Sequence, residues 1–283
     1  MASKRDNWRF RNLASEFTDI MLKIDECLKK DDAWGKHFRN WKGILETPFG
    51  GGDLLNLCYA YGMTQAKICK MARWDLMFYL KEATMGLTSD ESWLFPPKEF
   101  PHIHLGAYGM AMMLADSGFI GDISGLIEKA KVTQDISDDM TIPEHFMLVH
   151  KIVLGHYDSE RESISKKTLA FSDVPFSRHI SYLGLRDEEK FNQAIKVEVE
   201  EFNKPLQTRN RMRNVLPHNM VSLHHVNFIA LALEAGLRFT YFDPALPIWD
   251  FPIAQRPEIQ KLLTPEMIER IPDPSVFQQS SED

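Results

Sequence analysis

An all-α chain built of packed antiparallel helix pairs is what this sequence predicts, and three observations carry that reading. Apolar residues recur at helical spacing through most of the 283 residues. Stretches that alternate apolar and polar in the manner of a strand are nearly absent. Glycine and proline clusters break the helical runs at intervals that suit short helix–helix connections. A repeat-like, solenoid-type bundle is one form such pairs could take.

The first helix, over 13–30, places Phe17, Ile20, Met21, Ile24 and Leu28 close to ideal 3.6-residue spacing. A second is expected over 32–45. Thr47-Pro48-Phe49-Gly50-Gly51-Gly52 breaks it, and Asp53 is a natural N-cap for the next, through Leu54, Leu57 and Tyr61. Another helix covers 66–83. Pro96, Pro97 and Pro101 interrupt the chain before a helix over 104–117, whose Gly106, Ala107, Gly109, Ala111 and Ala115 permit close approach of a neighbour. Gly118 is expected to end it. A short helix over 123–130 precedes a polar loop over 133–140. Thr141 and Glu144 form a capping box, with Pro143 in the first turn, that starts a helix running to about Tyr157.

The second half opens with a helix in which Phe191, Ala194, Ile195, Val199 and Phe202 form one stripe, while Glu188, Glu189, Lys196, Glu200 and Glu201 occupy the rest. From Met220 to Ala235 no continuous polar face remains, so this helix must be covered on most sides. Gly236 stands where a left-handed C-cap would close it. Pro244 and Pro247 then favour an extended exit by which the chain leaves the bundle. Beyond it Pro257, Pro265, Pro272 and Pro274 exclude a long element, Thr264-Pro265-Glu266 can start a short helix, and 278–283 reads as disordered. The expected organisation is one helical domain over 1–252 and a proline-containing C-terminal segment over 253–283. Within the domain, the runs Gly109 to Gly118 and Ile229 to Gly236 look alike, which suggests two helical halves meeting near 133–141.

Asp187-Glu188-x-x-Phe191 at a helix start, the later Leu231-Ala232-Leu233-Glu234-Ala235-Gly236 end, and Tyr241-Phe242-Asp243-Pro244-Ala245-Leu246-Pro247 together resemble the C-terminal half of the immunity protein 49 family. The likeness covers residues 183–252, about a quarter of the chain. It implies a helical bacterial protein that binds and neutralises a cognate toxin. The family carries no catalytic motif, so the resemblance implies no catalytic residue and no cofactor.

Enzyme signatures fail on their spacing. A di-metal carboxylate bundle needs paired Glu-x-x-His units, yet only Glu99 and His102 match, with Pro101 between them. The zinc-protease string His-Glu-x-x-His is missing. His145, His150 and His156 are spaced by steps that rotate about 140° and 240° on a helix and do not converge. His218 and His225 share a face but lie roughly 10 Å apart along the axis. His224 and His225, on an apolar helix, read as packing residues, and His102 and His104 are ambiguous. In Gly121-Asp122-Ile123-Ser124-Gly125 the serine lies one position late for a nucleophile elbow, and a turn is expected there. Gly50 to Asp53 lacks the Lys and Ser/Thr of a phosphate loop. The chain reads as a binding protein and not as an enzyme. A helical metal-dependent enzyme with His and carboxylate ligands is the alternative, and a helical-repeat scaffold is the third reading.

Composition is consistent with this. A net charge of −7 argues against nucleic acid as the partner and suits a basic protein. The N-terminal residues lack the apolar run of a secretory signal, and no stretch reaches the roughly 20 apolar residues of a membrane span, so a cytoplasmic protein with no membrane partner is expected. Cys27, Cys58 and Cys69 show no pairing or zinc spacing and suit a reducing compartment. Acidic residues concentrate in the loop Asp135, Asp138, Asp139 with Glu144, and around Asp187 and Glu188. Lys204, Arg209, Arg211 and Arg213 form a compact basic run. Those six acidic residues are the expected surface for a cationic toxin. Trp249, Phe251, Phe242, Trp93 and Phe95 are the aromatic anchors such an interface could use.

Overall fold

A computed structural model describes residues 59, 64–88, 100–133, 148–149, 151–156, 158–171, 175–203 and 221–278. The chain divides into two units, Met1–Glu46 and Thr47–Asp283, and all described residues belong to the second. The helices expected over 13–30 and 32–45, the capping box at Thr141 and Glu144, and the basic run from Lys204 to Arg213 lie outside the described residues.

The described residues are mostly helical, with no strand among them. The long elements are α1 (Gln65–Thr88), α2 (Phe100–Met113), α3 (Ser117–Thr133), α4 (Ser159–Phe171), α5 (Pro175–Leu185), α6 (Glu188–Asn203) and α7 (Leu223–Glu234). Neighbours in sequence pair in space: α1 with α2, α2 with α3, α4 with α5, α5 with α6. The helix without a continuous polar face is the hub. α7 packs on α2 and on α5, and its Val226, Phe228, Ile229, Ala230 and Ala232 are fully enclosed. This is the covering that its lack of a polar face requires.

Small residues set the closest crossings. A methyl group at Gly109 of α2 would stand 2.5 Å from Asn227 Cβ and 2.8 Å from its Cα, so only a hydrogen fits between α2 and α7. At Gly184 of α5 the same addition would meet Ser165 Oγ of α4 at 2.0 Å. Gly109 lets two backbones approach to a distance that a side chain would forbid, whereas at Gly184 the neighbours are side chains.

Helix ends follow one pattern. After α7 the N–H of Gly236 donates to Leu233 O and that of Leu237 to Ala232 O, both at 2.9 Å, with Gly236 at φ 77°. This is a Schellman closure, as expected at that glycine. The same pair of bonds closes α2 at Ala115 (φ 52°) and α5 at Arg186 (φ 57°), where side-chain-bearing residues hold the left-handed position. The expected stop at Gly118 is therefore displaced. Asp116 accepts the N–H groups of Gly118 at 3.1 Å and Phe119 at 3.3 Å, caps α3, and places Gly118 in its first turn. The expected turn at Gly121 to Gly125 lies inside α3, where both glycines face open space. Pro101 does not delay α2, because a proline in the first turn forfeits no intrahelical bond.

Residues 237–247 form no helix, with a turn at Pro244 and Ala245, but the chain does not leave the bundle. Leu237, Phe239, Leu246, Ile248, Phe251 and Ile253 are buried. The Phe239 N–H donates to Leu262 O at 2.9 Å, and Ser222 N–H to Ala245 O at 2.8 Å. Short helices follow at α8 (Pro257–Gln260), α9 (Pro265–Ile268) and α10 (Ser275–Gln278). Ile259, Leu263 and Met267 bury their side chains, so 253–278 packs into the same unit as α7. No described helix is long and apolar enough to cross a membrane.

Candidate functional site

Where α5, α6 and α7 meet, each supplies one polar side chain to a common point. On α5, His179 precedes Ile180 and Leu183, which anchor the helix in the core, and is itself fully buried. On α6, Phe191, Ile195 and Val199 form the enclosed stripe. Glu198, seven positions after Phe191 and three after Ile195, puts a carboxylate on the border of that stripe with its side chain 23% exposed. On α7, His225 lies between Leu223 and Val226 and is buried.

The carboxylate spans the two imidazoles. Its Oε2 lies 2.9 Å from His225 Nε2, and its Oε1 lies 3.7 Å from His179 Nε2. On the far side of His225, Nδ1 meets Ser222 Oγ at 2.6 Å. With Glu198 ionised, the network assigns the proton of neutral His225 to Nε2, so that Nε2–H donates to the carboxylate and Ser222 donates to Nδ1. Aromatic rings hold His179 in place: Phe228 stacks on it at 4.9 Å, and Phe191 meets it edge-on at 6.1 Å. The two histidine rings are 5.7 Å apart.

Burial by itself would raise the Glu198 carboxyl. The hydrogen bond from His225, with the charge that His179, His225 and His224 contribute when protonated, outweighs it and holds the group below the usual carboxylate range. The result is an ionised acid clasped by two buried imidazoles, with one side of the carboxylate open to solvent. Ser222, His225 and Glu198 also line up as a hydroxyl–imidazole–acid chain. Ser222, however, is only 6% exposed, and its own N–H is committed to Ala245 O. Its hydroxyl positions the ring and is too enclosed to attack a substrate.

The acidic residues expected at a partner surface divide in two. Asp135, Asp138, Asp139 and Glu144 lie outside the described residues. Asp187 accepts the Lys190 N–H at 3.1 Å as the cap of α6, and its carboxylate pairs with Lys190 Nζ at 2.8 Å, which lowers its proton affinity. Glu188 Oε2 accepts the Arg238 N–H at 2.8 Å. Asp187 is thus engaged within the first turn of α6, whereas Glu188 joins α6 to the chain after α7. Asn192 completes that seam, with its amide nitrogen donating to Glu188 O and Arg238 O, both at 2.9 Å, and its oxygen accepting the Thr240 N–H at 2.8 Å.

Above the seam runs an open groove of about 470 Å³ lined by Glu188, Glu189, Asn192, Gln193, Lys196, Thr240 and Tyr241. α6 as a whole carries five glutamates against two lysines. None of the described aromatic anchors lines this groove. Trp249 and Phe251 are buried, and Phe242 stacks on Trp249 at 5.3 Å beneath the Arg270 guanidinium. Trp93 and Phe95 lie outside the described residues. Cys69 is buried in α1, and its desolvated thiol is pushed up to about 12, so it is no nucleophile at neutral pH.

Sequence reading placed His225 correctly as a buried residue of α7 but grouped it with His224, which is exposed. It did not single out His179 or Glu198. One signal was present: a glutamate at a position the α6 stripe would fill with an apolar side chain. No family model matches the chain, and neither does any curated protein or solved structure. The likeness to the immunity protein 49 family therefore rests on the residues quoted from 183–252.

Proposed function

We propose that the protein acts by stoichiometric binding, as an immunity protein that neutralises a cognate toxin presenting a basic surface. One observation carries this reading. The described residues of the segment that resembles the immunity family, 183–203 and 221–252, are well packed, and along α6 they open a groove lined by Glu188, Glu189, Gln193 and Lys196 and walled by Thr240 and Tyr241. A groove of this charge attracts a cationic segment, accelerates encounter, and rejects partners of like charge. Its walls are fixed by the Asn192 and Glu188 bonds, so little ordering is required when a partner docks. Occupation of the groove by a toxin's basic cleft would keep substrate from that cleft.

Co-expression with the toxin encoded beside this protein tests the reading. Growth is expected to be rescued and a complex to co-purify, and the double charge reversal Glu189→Lys with Glu200→Lys, both on exposed side chains, is expected to slow association at least about tenfold at low salt. The reading fails if no neighbouring product is neutralised or forms a complex.

A further inference from the structure

The His179, Glu198 and His225 cluster does more than tie three helices together. We infer that these residues form a binding site for a divalent transition metal, zinc foremost. This goes beyond the binding role proposed above and does not depend on it.

The donor set is the first argument. Two imidazole nitrogens and one carboxylate oxygen are the combination found where zinc and its neighbours in the first row are bound with a position left open. The ligand atoms of the three residues lie within 4.8 Å of one another. A four-coordinate ion with bonds of about 2.1 Å sets its donors about 3.4 Å apart. Two donor pairs bracket that edge, His225 Nε2 with Glu198 Oε2 at 2.9 Å and His179 Nε2 with Oε1 of the same carboxylate at 3.7 Å. An ion would enter by drawing the three side chains together and taking over the carboxylate that the histidines now share.

Support around the ligands is the second argument. A metal-bound imidazole needs its other nitrogen to carry the proton and donate it outward. Ser222 Oγ already stands 2.6 Å from His225 Nδ1. A hydroxyl both donates and accepts, so the same contact serves His225 with Nε2 protonated and with Nε2 on a metal. Only the proton changes place, leaving Nε2 for Nδ1 as the hydroxyl rotates. His179 is fixed by Phe191 and Phe228, which removes the rotamer freedom that binding would otherwise cost. The Glu198 carboxylate reaches solvent on one side, giving the ion a path in and leaving a fourth position to water.

A hydrogen-bonded clasp without metal is the competing account, and the two separate cleanly in the full-length protein. After chelator treatment and dialysis, zinc titration by calorimetry is expected to show one equivalent bound per chain, with a rise in melting temperature that saturates at that equivalent. Cobalt(II) is expected to give the visible absorption of a four-coordinate ion, which scattered surface histidines do not produce. Glu198→Gln keeps the shape and the hydrogen-bonding capacity of the site. It is expected to lower zinc affinity more than about 100-fold while leaving the zinc-free fold intact by circular dichroism, and Ser222→Ala to lower it about tenfold through the ring it orients. His225→Gln gives a second ligand deletion should one variant fold poorly. The inference is overturned if the wild type binds no stoichiometric zinc, or if Glu198→Gln and His225→Gln bind it as the wild type does.

Discussion

The two sides of α7 hold their neighbours by opposite means. Toward α2 the contact is apolar and shaped by absence: Gly109 offers a bare backbone against which Asn227 and its flanking residues lie directly. Toward α5 and α6 it is polar and shaped by bonds, from His225 to Glu198, from Ser222 to His225, and from Arg186 Nη2 to the Ala235 carbonyl that ends the helix. Close packing tolerates no added atom but needs no specific chemistry. A bonded seam tolerates a change of shape but leaves a desolvated group wherever one partner is removed.

The largest effect is expected on the packed side. Gly109→Val would drive branched carbons into the Asn227 backbone, where the obstruction is not the end of a flexible chain. Destabilisation of about 3 kcal/mol is expected in urea unfolding, with the slope unchanged if the denatured state is unaffected. Gly184→Ala makes the contrast within one class of crossing, since the added methyl meets the side chains of Ser165 and Leu148 and no neighbouring backbone, and about 2 kcal/mol is expected.

On the bonded side the corresponding break is Asn192→Leu. The change removes an amide that satisfies the Arg238 carbonyl and the Thr240 N–H at once, in a residue that is itself buried. A loss of about 2 kcal/mol is expected, with faster hydrogen exchange at Thr240 as its local signature. Unchanged exchange there would show that the seam is carried by apolar contact alone. The His–Glu pair is weaker because Glu198 retains some water. A double-mutant cycle on Glu198→Gln and His225→Gln, in zinc-free protein, is expected to give a coupling of about 1 kcal/mol.

How far sequence reading reached follows the same division. The packed side of α7 was legible: an apolar run without a polar face must be covered, small residues in 104–117 permit close approach, and Gly236 supplies the left-handed C-cap. Each inference is local, drawn from residues a turn or two apart. The cluster was not, because its members lie on three different helices, and no spacing rule links positions that meet only after the helices pack. His225 looked like packing because on its own helix that is all it can be. Only Glu198, a charge inside the α6 stripe, left a local trace. The C-terminal stretch from 253 was legible as short elements, while the burial of its side chains was not. Prolines report the absence of long helices, whereas Ile253, Ile259 and Met267 bury themselves from short ones.

The smallest test concerns two helix ends with the same backbone and different residues. α7 closes on Gly236 and α5 on Arg186, each left-handed with the same pair of closing bonds. Glycine adopts that conformation without strain, and arginine at a cost of about 1 kcal/mol. The arginine persists at a strained position because its guanidinium donates to Ala235 O at 3.1 Å, the carbonyl beside Gly236, so that the closure of α5 caps α7. Arg186→Ala keeps the strain and loses the bond, and about 0.5 kcal/mol of destabilisation is expected for this exposed residue. Arg186→Gly loses the bond and the strain together, so it is expected to match or slightly exceed wild-type stability in paired thermal melts. If Arg186→Gly falls as far as Arg186→Ala, the left-handed backbone carries no strain there, and the bonded side of α7 holds its end by the guanidinium alone.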